Sequence, residues 1–252
     1  AELKSIMRGV HGESVEKDKR GLHNYKQYWN LITNQKILEA VRSLLGQDIY
    51  YLYNSNASMS RSGNQILPHY NWHRDSACRM FGFGPDWDTD EIYKVLRFGI
   101  YLSPYDEAKS GLNVISESHK KRRHTLSGIL RLLHYKIKLY PRLNGFRRII
   151  SKFIGLDIKT DAGDVIIFLA NLFHSGIPTF GLKETIFLSY GVDNKHSKNY
   201  VNYYMQHRKG LEMKNNEQSQ EFIKILKNKN IYFPLPEKKD EIRGFSIPPS
   251  DR

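Results

Sequence analysis

The chain has 252 residues, 40% of them hydrophobic and 26% charged, with a formal net charge of +13. Its single cysteine, Cys78, excludes an internal disulfide framework and a cysteine-rich zinc site, and no apolar run approaches the ~18 residues that span a bilayer. One domain over residues 1–252, cytoplasmic and with a sizeable core, is the expectation.

Residues 1–21 are polar and are expected to drape loosely. From Asn24 to Gly46 the apolar positions Tyr25, Tyr28, Leu31, Ile32, Ile37, Leu38, Val41, Leu44 and Leu45 recur at helical spacing, and Gly46 is a natural stop. Strand character follows. "DIYYLYNSN", "KVLRFGIYLSP", "LNVISES", "GDVIIFLA" and "KETIFLSYGV" are short, rich in aromatic and β-branched residues, and separated by Gly, Pro, Asp and Ser. This pattern predicts a mainly β sandwich or barrel with helical additions. "FGFGPDWDTD" reads either as a lid or as a plain surface loop. Beyond the last strand, "KNYVNYYMQH" and "SQEFIKILKNK" read as short helices, and the Pro-rich end as extended.

A basic insertion interrupts the strands over residues 119–154. Eleven Lys and Arg residues and no Asp or Glu lie between Ser118 and Ile154. Leu126, Ile129, Leu130, Leu132, Leu133, Ile137 and Tyr140 form one helical face, redirected at Pro141. Leu143, Phe146, Ile149, Ile150, Phe153 and Ile154 form a second, with Arg142, Arg147, Arg148 and Lys152 largely off it. Two accounts stand. Either the apolar faces pack on the β framework, or they dock on an anionic membrane surface, with peripheral localisation and a lipid or glycolipid substrate as the consequence. Nucleic acid is disfavoured, because the aromatics fall on the apolar stripes and form no stacking platform.

The chemistry is carried by His73-Arg74-Asp75 and by His174 in "GDVIIFLANLFHSGIP". In an extended segment, His and Asp two positions apart project to the same side. His174 follows Val165–Ala170, which reads as a buried strand. Together the three would hold one divalent metal and leave the opposite face open, which is the facial triad of non-haem Fe(II) oxygenases. The plainer alternative is a surface His73 and a satisfied core His174. "HRD" also opens the protein-kinase catalytic loop, but Ser76 and Met80 replace its Leu and Asn, and no glycine-rich loop or D-F-G is present. A kinase is excluded.

"NWHRDS", "RFGIYLSPYDEAKSGLNVISESHK" and "GDVIIFLANLFHSGIP", in that order, resemble the phytanoyl-CoA dioxygenase-like family of Fe(II)/2-oxoglutarate oxygenases over about residues 70–192. The resemblance implies a double-stranded β-helix (jelly-roll, cupin-like) core and His73, Asp75 and His174 as iron ligands. It also implies oxidative decarboxylation of 2-oxoglutarate to succinate with O₂. Two departures stand out. Glu117 occupies the turn position where the family carries Gly before Ser118-His119. Where the family places an Arg for the far carboxylate of 2-oxoglutarate, "GLKETIFLS" offers Lys183, with Thr185 on the same side of the strand. Lysine is a point charge without the bidentate fork of Arg. Asp75 favours hydroxylation, because related halogenases replace that carboxylate with a small residue. The expectation is a hydroxylase of an anionic lipid or saccharide. Its rivals are a hydroxylase of a small soluble acid and a jelly-roll binding or scaffold protein without 2-oxoglutarate turnover.

Overall fold

The computed structural model describes residues 1–12, 21–61, 70–76, 86–120, 129, 133, 137, 140, 142, 146, 149–150, 153–178, 181–207 and 217–233. In chain order its helices are α1 (Glu2–His11), α2 (Trp29–Ile32), α3 (Gln35–Leu45), α4 (Tyr105–Ala108), α5 (Lys195–His207) and α6 (Glu217–Asn228). Its strands are β1 (Ile49–Tyr51), β2 (Asn56–Arg61), β3 (Leu96–Tyr101), β4 (Gly111–Val114), β5 (Leu156–Lys159), β6 (Val165–Leu169), β7 (His174–Gly176), β8 (Leu182–Gly191) and β9 (Ile231–Tyr232). The expected strands are present, together with β2, β5, β7 and β9.

The strands form two sheets. The larger runs β6-β3-β8-β1-β9, with β2 also paired to β8, and the smaller runs β5-β4-β7. Strand β8 organises the larger sheet, pairing antiparallel with β3, β2 and β1. Its side chains alternate with period two, as a strand requires. Ile186, Leu188 and Tyr190 enter the main core beside Leu38 and Val41 of α3. Lys183, Thr185 and Phe187 line a cavity on the other face. The neighbours keep the same division. Ala57 and Met59 of β2, and Leu96, Phe98 and Ile100 of β3, face the core, whereas Asn56, Ser58, Ser60, Arg97 and Tyr101 face the cavity. One sheet thus presents an apolar face to the helices and a polar, cationic face to the site.

Three expectations need correction. The first helix of the core region is not continuous, because Thr33 and Asn34 break it and the Asn34 side chain caps α3 by accepting from the Lys36 and Ile37 amides. The N-terminal segment is not loosely draped where it is described. Residues Glu2–His11 are helical, Met7 is fully buried, and Lys4 and Arg8 pair with the buried Glu184 at 3.2 and 3.1 Å. Strand β6 is not fully buried either: Val165 and Ile167 are exposed, and among the described residues the strand lies at the sheet edge and pairs with β3 alone. The insertion is mostly outside the described residues, but positions 129, 133, 137, 146, 149 and 150 are helical. The end of the chain beyond Phe233 also lies outside them.

Candidate metal centre

His73 and His174 meet across a backbone bridge. Each amide donates to the other's carbonyl, both at 3.0 Å. His174 opens β7, whose other edge pairs with Val114 of β4. The Asp75 amide donates to the Ala170 carbonyl at 2.8 Å, which fixes the third residue of H-x-D. With the backbone so tied, one nitrogen from each imidazole and one Asp75 oxygen all lie within 4.8 Å of one another. The Asp75 oxygens lie 3.5 Å from His73 Nε2 and 3.8 Å from His174 Nε2.

The hydrogen-bond pattern suits metal ligation. His73 Nδ1 contacts the Asn71 carbonyl at 2.7 Å, and His174 Nδ1 contacts the Leu172 carbonyl at 2.9 Å. A carbonyl can only accept, so both Nδ1 atoms carry the proton and both Nε2 atoms present a lone pair. Burial pushes the His174 imidazole down to about 3, so the ring is neutral at physiological pH. Burial alone would raise Asp75, yet Arg97, His73 and His174 hold its carboxyl well below the usual carboxylate range. Two imidazoles, with Nδ1 of each tied to a carbonyl, and an ionised carboxylate are the donor set that Fe(II) accepts.

Arg97 and Tyr204 surround the carboxylate. Arg97 Nε stands 2.9 Å from Asp75 Oδ2, and the Tyr204 hydroxyl donates to Oδ1 at 3.2 Å. Arg97 also donates through Nη1 to the Asn54 carbonyl and, at 2.7 Å, to Ser189 Oγ. Arg74, the middle residue of H-x-D, donates to the Asn171 and Ser118 carbonyls at 2.8 and 3.1 Å and lies over the Phe173 ring. Ser118 Oγ accepts from the Phe173 amide at 2.8 Å. The Ser118 turn thereby braces the approach to His174.

A cavity of about 320 Å³ opens from this cluster and is shared by both sheets. Lys183 is buried along its wall, with Thr185 beside it. Its ammonium donates to the Gly111 carbonyl at 3.0 Å and to the Ile177 carbonyl at 3.4 Å. An ammonium has three donors, so one N–H remains for an anion in the cavity. Burial lowers its pKa to about 8. Lys183 is therefore an inward lysine and not an ordinary exposed one.

No protein-family model and no curated protein matches the sequence. Solved structures do match in fold. HygX from Streptomyces hygroscopicus with nickel and 2-oxoglutarate bound superposes with a TM-score of 0.54 at 16% identity, covering 76% of this chain and 77% of that one. The iron-bound form of HygX gives 0.51 at 15% identity, covering 76% and 78%. The chain has the fold of HygX. The five residues singled out from sequence, His73, Asp75, His174, Lys183 and Thr185, all line one cavity of that fold.

Other candidates fare differently. Arg97, Arg74 and Tyr204 were not anticipated. An arginine among apolar residues in "KVLRFGIYLS" was a signal for the first, whereas nothing marks Tyr204 among the tyrosines of α5. Phe81–Pro85 of the expected lid lie outside the described residues. Asp86 and Trp87 are buried, and Asp86 accepts at 3.0 Å from His196 Nδ1, so this part is packed in place. His119 stays apart from the metal cluster, while His124 and His134 lie outside the described residues.

Proposed function

We propose that the chain is an Fe(II)- and 2-oxoglutarate-dependent dioxygenase that hydroxylates an anionic lipid or saccharide. The observation that carries this reading is the convergence of His73, Asp75 and His174 donor atoms within 4.8 Å, in a cavity that also holds Lys183 and Thr185. The two sheets around it are read as a double-stranded β-helix core. HygX, which shares the fold, holds nickel and 2-oxoglutarate.

Bound Fe(II), with 2-oxoglutarate and O₂, supplies the oxidising chemistry that yields succinate and a hydroxylated product. The chain supplies the arrangement. His73 and His174 offer Nε2 lone pairs, because their Nδ1 protons are committed to backbone carbonyls. Asp75 stays ionised beside Arg97. Its presence supports hydroxylation over halogenation. Lys183 neutralises the far carboxylate of 2-oxoglutarate, with the Thr185 hydroxyl as a second donor. Asn56, Ser58 and Ser60 on the β2 wall hydrogen-bond polar substituents of the substrate. Asp75, Arg97 and Lys183 are largely buried, so their charges act more strongly than they would in bulk water. The basic segment over residues 119–154 supports an anionic substrate.

Anaerobic visible absorption tests the reading. Purified protein given Fe(II) and 2-oxoglutarate should develop the charge-transfer band of a chelated 2-oxo acid, and His174→Ala should not. Iron bound without the band would overturn it in favour of a binding protein or another co-substrate.

A further inference from the structure

Among the described residues of the insertion's predicted apolar stripes, Ile137 is buried but several large side chains are exposed. Ile129 and Leu133, one helical turn apart, are 56% and 40% exposed. Phe146, Ile149 and Phe153, spaced to share one helical face, are 54%, 51% and 73% exposed. Leu156 follows at 67%. Soluble proteins scatter single exposed apolar residues, but a run of large ones is the mark of an interaction surface. Full packing of these five insertion positions on the β framework would have buried them.

Part of the second stripe does turn inward, and its direction is informative. Ile154 is buried with Tyr70, Trp72, Ile115 and Phe173, and Ile150 packs against that cluster. Gly155 allows this approach, since a Cβ there would stand 2.5 Å from the Trp72 ring. Trp72 immediately precedes His73, and Phe173 immediately precedes His174. The uncovered face is therefore anchored directly behind the metal cluster.

We infer that Ile129, Leu133, Phe146, Ile149, Phe153 and Leu156 form a docking surface for an anionic lipid bilayer, placed to deliver a membrane-borne substrate to the adjoining cavity. The occupant follows from chemistry. Eleven cations and no acidic residue lie between Ser118 and Ile154, so a neutral or acidic-lipid-free surface would leave them uncompensated. Ile129, Leu133, Ile149 and Leu156 gain from acyl chains and have nothing to stack on a nucleic acid base, while the exposed Phe146, Phe153 and Tyr140 also suit an interfacial apolar face. Among the described residues no helix is long and apolar enough to cross a membrane. The delivery role rests on the oxygenase reading, whereas the docking itself does not.

Co-sedimentation of the full chain, without added metal, tests the docking. The probes are vesicles of phosphatidylcholine alone and of phosphatidylcholine with phosphatidylglycerol. Binding is expected only with phosphatidylglycerol, and it should weaken with salt. Phe146→Ser/Phe153→Ser should reduce it about tenfold by removing the apolar contact, and Arg147→Glu/Arg148→Glu should do so by reversing charge. His174→Ala should sediment like the parent, so failure of the metal site and failure of the docking surface are separable. No sedimentation with phosphatidylglycerol at low salt would overturn the inference, as would binding as strong as the parent's by both double variants. A dimer dispersed by Phe146→Ser/Phe153→Ser would assign the face to a second copy. Binding of a single-stranded oligonucleotide that vesicles cannot displace would assign it to nucleic acid.

Discussion

Arg97 and Asp75 form a buried ion pair, Nε to Oδ2 at 2.9 Å, inside the cluster proposed to hold the metal. The pairing explains how a carboxylate can be buried in this cluster. Burying a lone carboxylate costs several kcal/mol, and a counter-charge in contact offsets it. Arg97 thus stands in for the positive charge that a divalent ion would contribute.

Arg97→Met should consequently destabilise the metal-free protein by about 3–5 kcal/mol, the usual cost of orphaning a buried charge. Added Ni(II) should restore part of that loss, because it supplies the missing counter-charge to Asp75. The check is thermal unfolding of parent and variant with and without Ni(II). An equal loss in both conditions would show that Arg97 acts only through its contacts with Asn54 and Ser189.

Glu117 sits at φ +58°, in the left-handed region. This position is where the resembling family carries Gly, and the geometry supplies the reason: a side chain there crowds the following carbonyl. Its ion pair with Lys120 at 2.5 Å is exposed and contributes little. Glu117→Gly should therefore stabilise by about 1 kcal/mol, raising Tm by about 2–4 °C in a chain of this size. A lower Tm would mean that the Glu117 side chain contributes more than the backbone strain it imposes.

Much of the site was legible because its signals are local or periodic. His73 and Asp75 are two residues apart, and Lys183 and Thr185 share a strand face by the same rule. What was not legible depends on long-range pairing. Tyr204 reaches Asp75 from 129 positions away on α5, and a tyrosine-rich helix gives no hint which ring turns inward. The α1 helix was hidden for the same reason. Its only fully buried side chain is Met7, and its principal partner, Glu184, lies 176 residues beyond Arg8. Composition alone makes such a helix look like a polar tail.

That pairing gives a further prediction. Glu184 is 1% exposed, and Lys4 and Arg8 of α1 meet its carboxylate. Both cations are partly solvated, so the pairs are weaker than fully buried ones, but removing both leaves the carboxylate without those partners. Lys4→Ala/Arg8→Ala should destabilise by about 2–3 kcal/mol, less than the full buried-pair value. Adding Glu184→Gln should recover some of the loss. Denaturant unfolding of the parent, both of these variants and Glu184→Gln alone decides it, and additive losses would show that the pairs do not interact.

If Lys183 holds 2-oxoglutarate as proposed, affinity for it should depend on pH in a way that an arginine would not produce. Burial lowers its pKa to about 8. Below that pH the ammonium is charged and attracts the far carboxylate of the co-substrate. Above it the amine is neutral, the attraction is lost, and the unpaired carboxylate meets a buried wall. Affinity should hold steady from pH 7 to about 8 and then fall, approaching tenfold per pH unit. Lys183→Arg should abolish the fall, because guanidinium stays protonated throughout. Lys183→Met should bind weakly at every pH. Titration of the charge-transfer band against 2-oxoglutarate measures all three. Equal affinity for the parent and Lys183→Met would restrict Lys183 to its contacts with Gly111 and Ile177, and the co-substrate carboxylate would then need another cation.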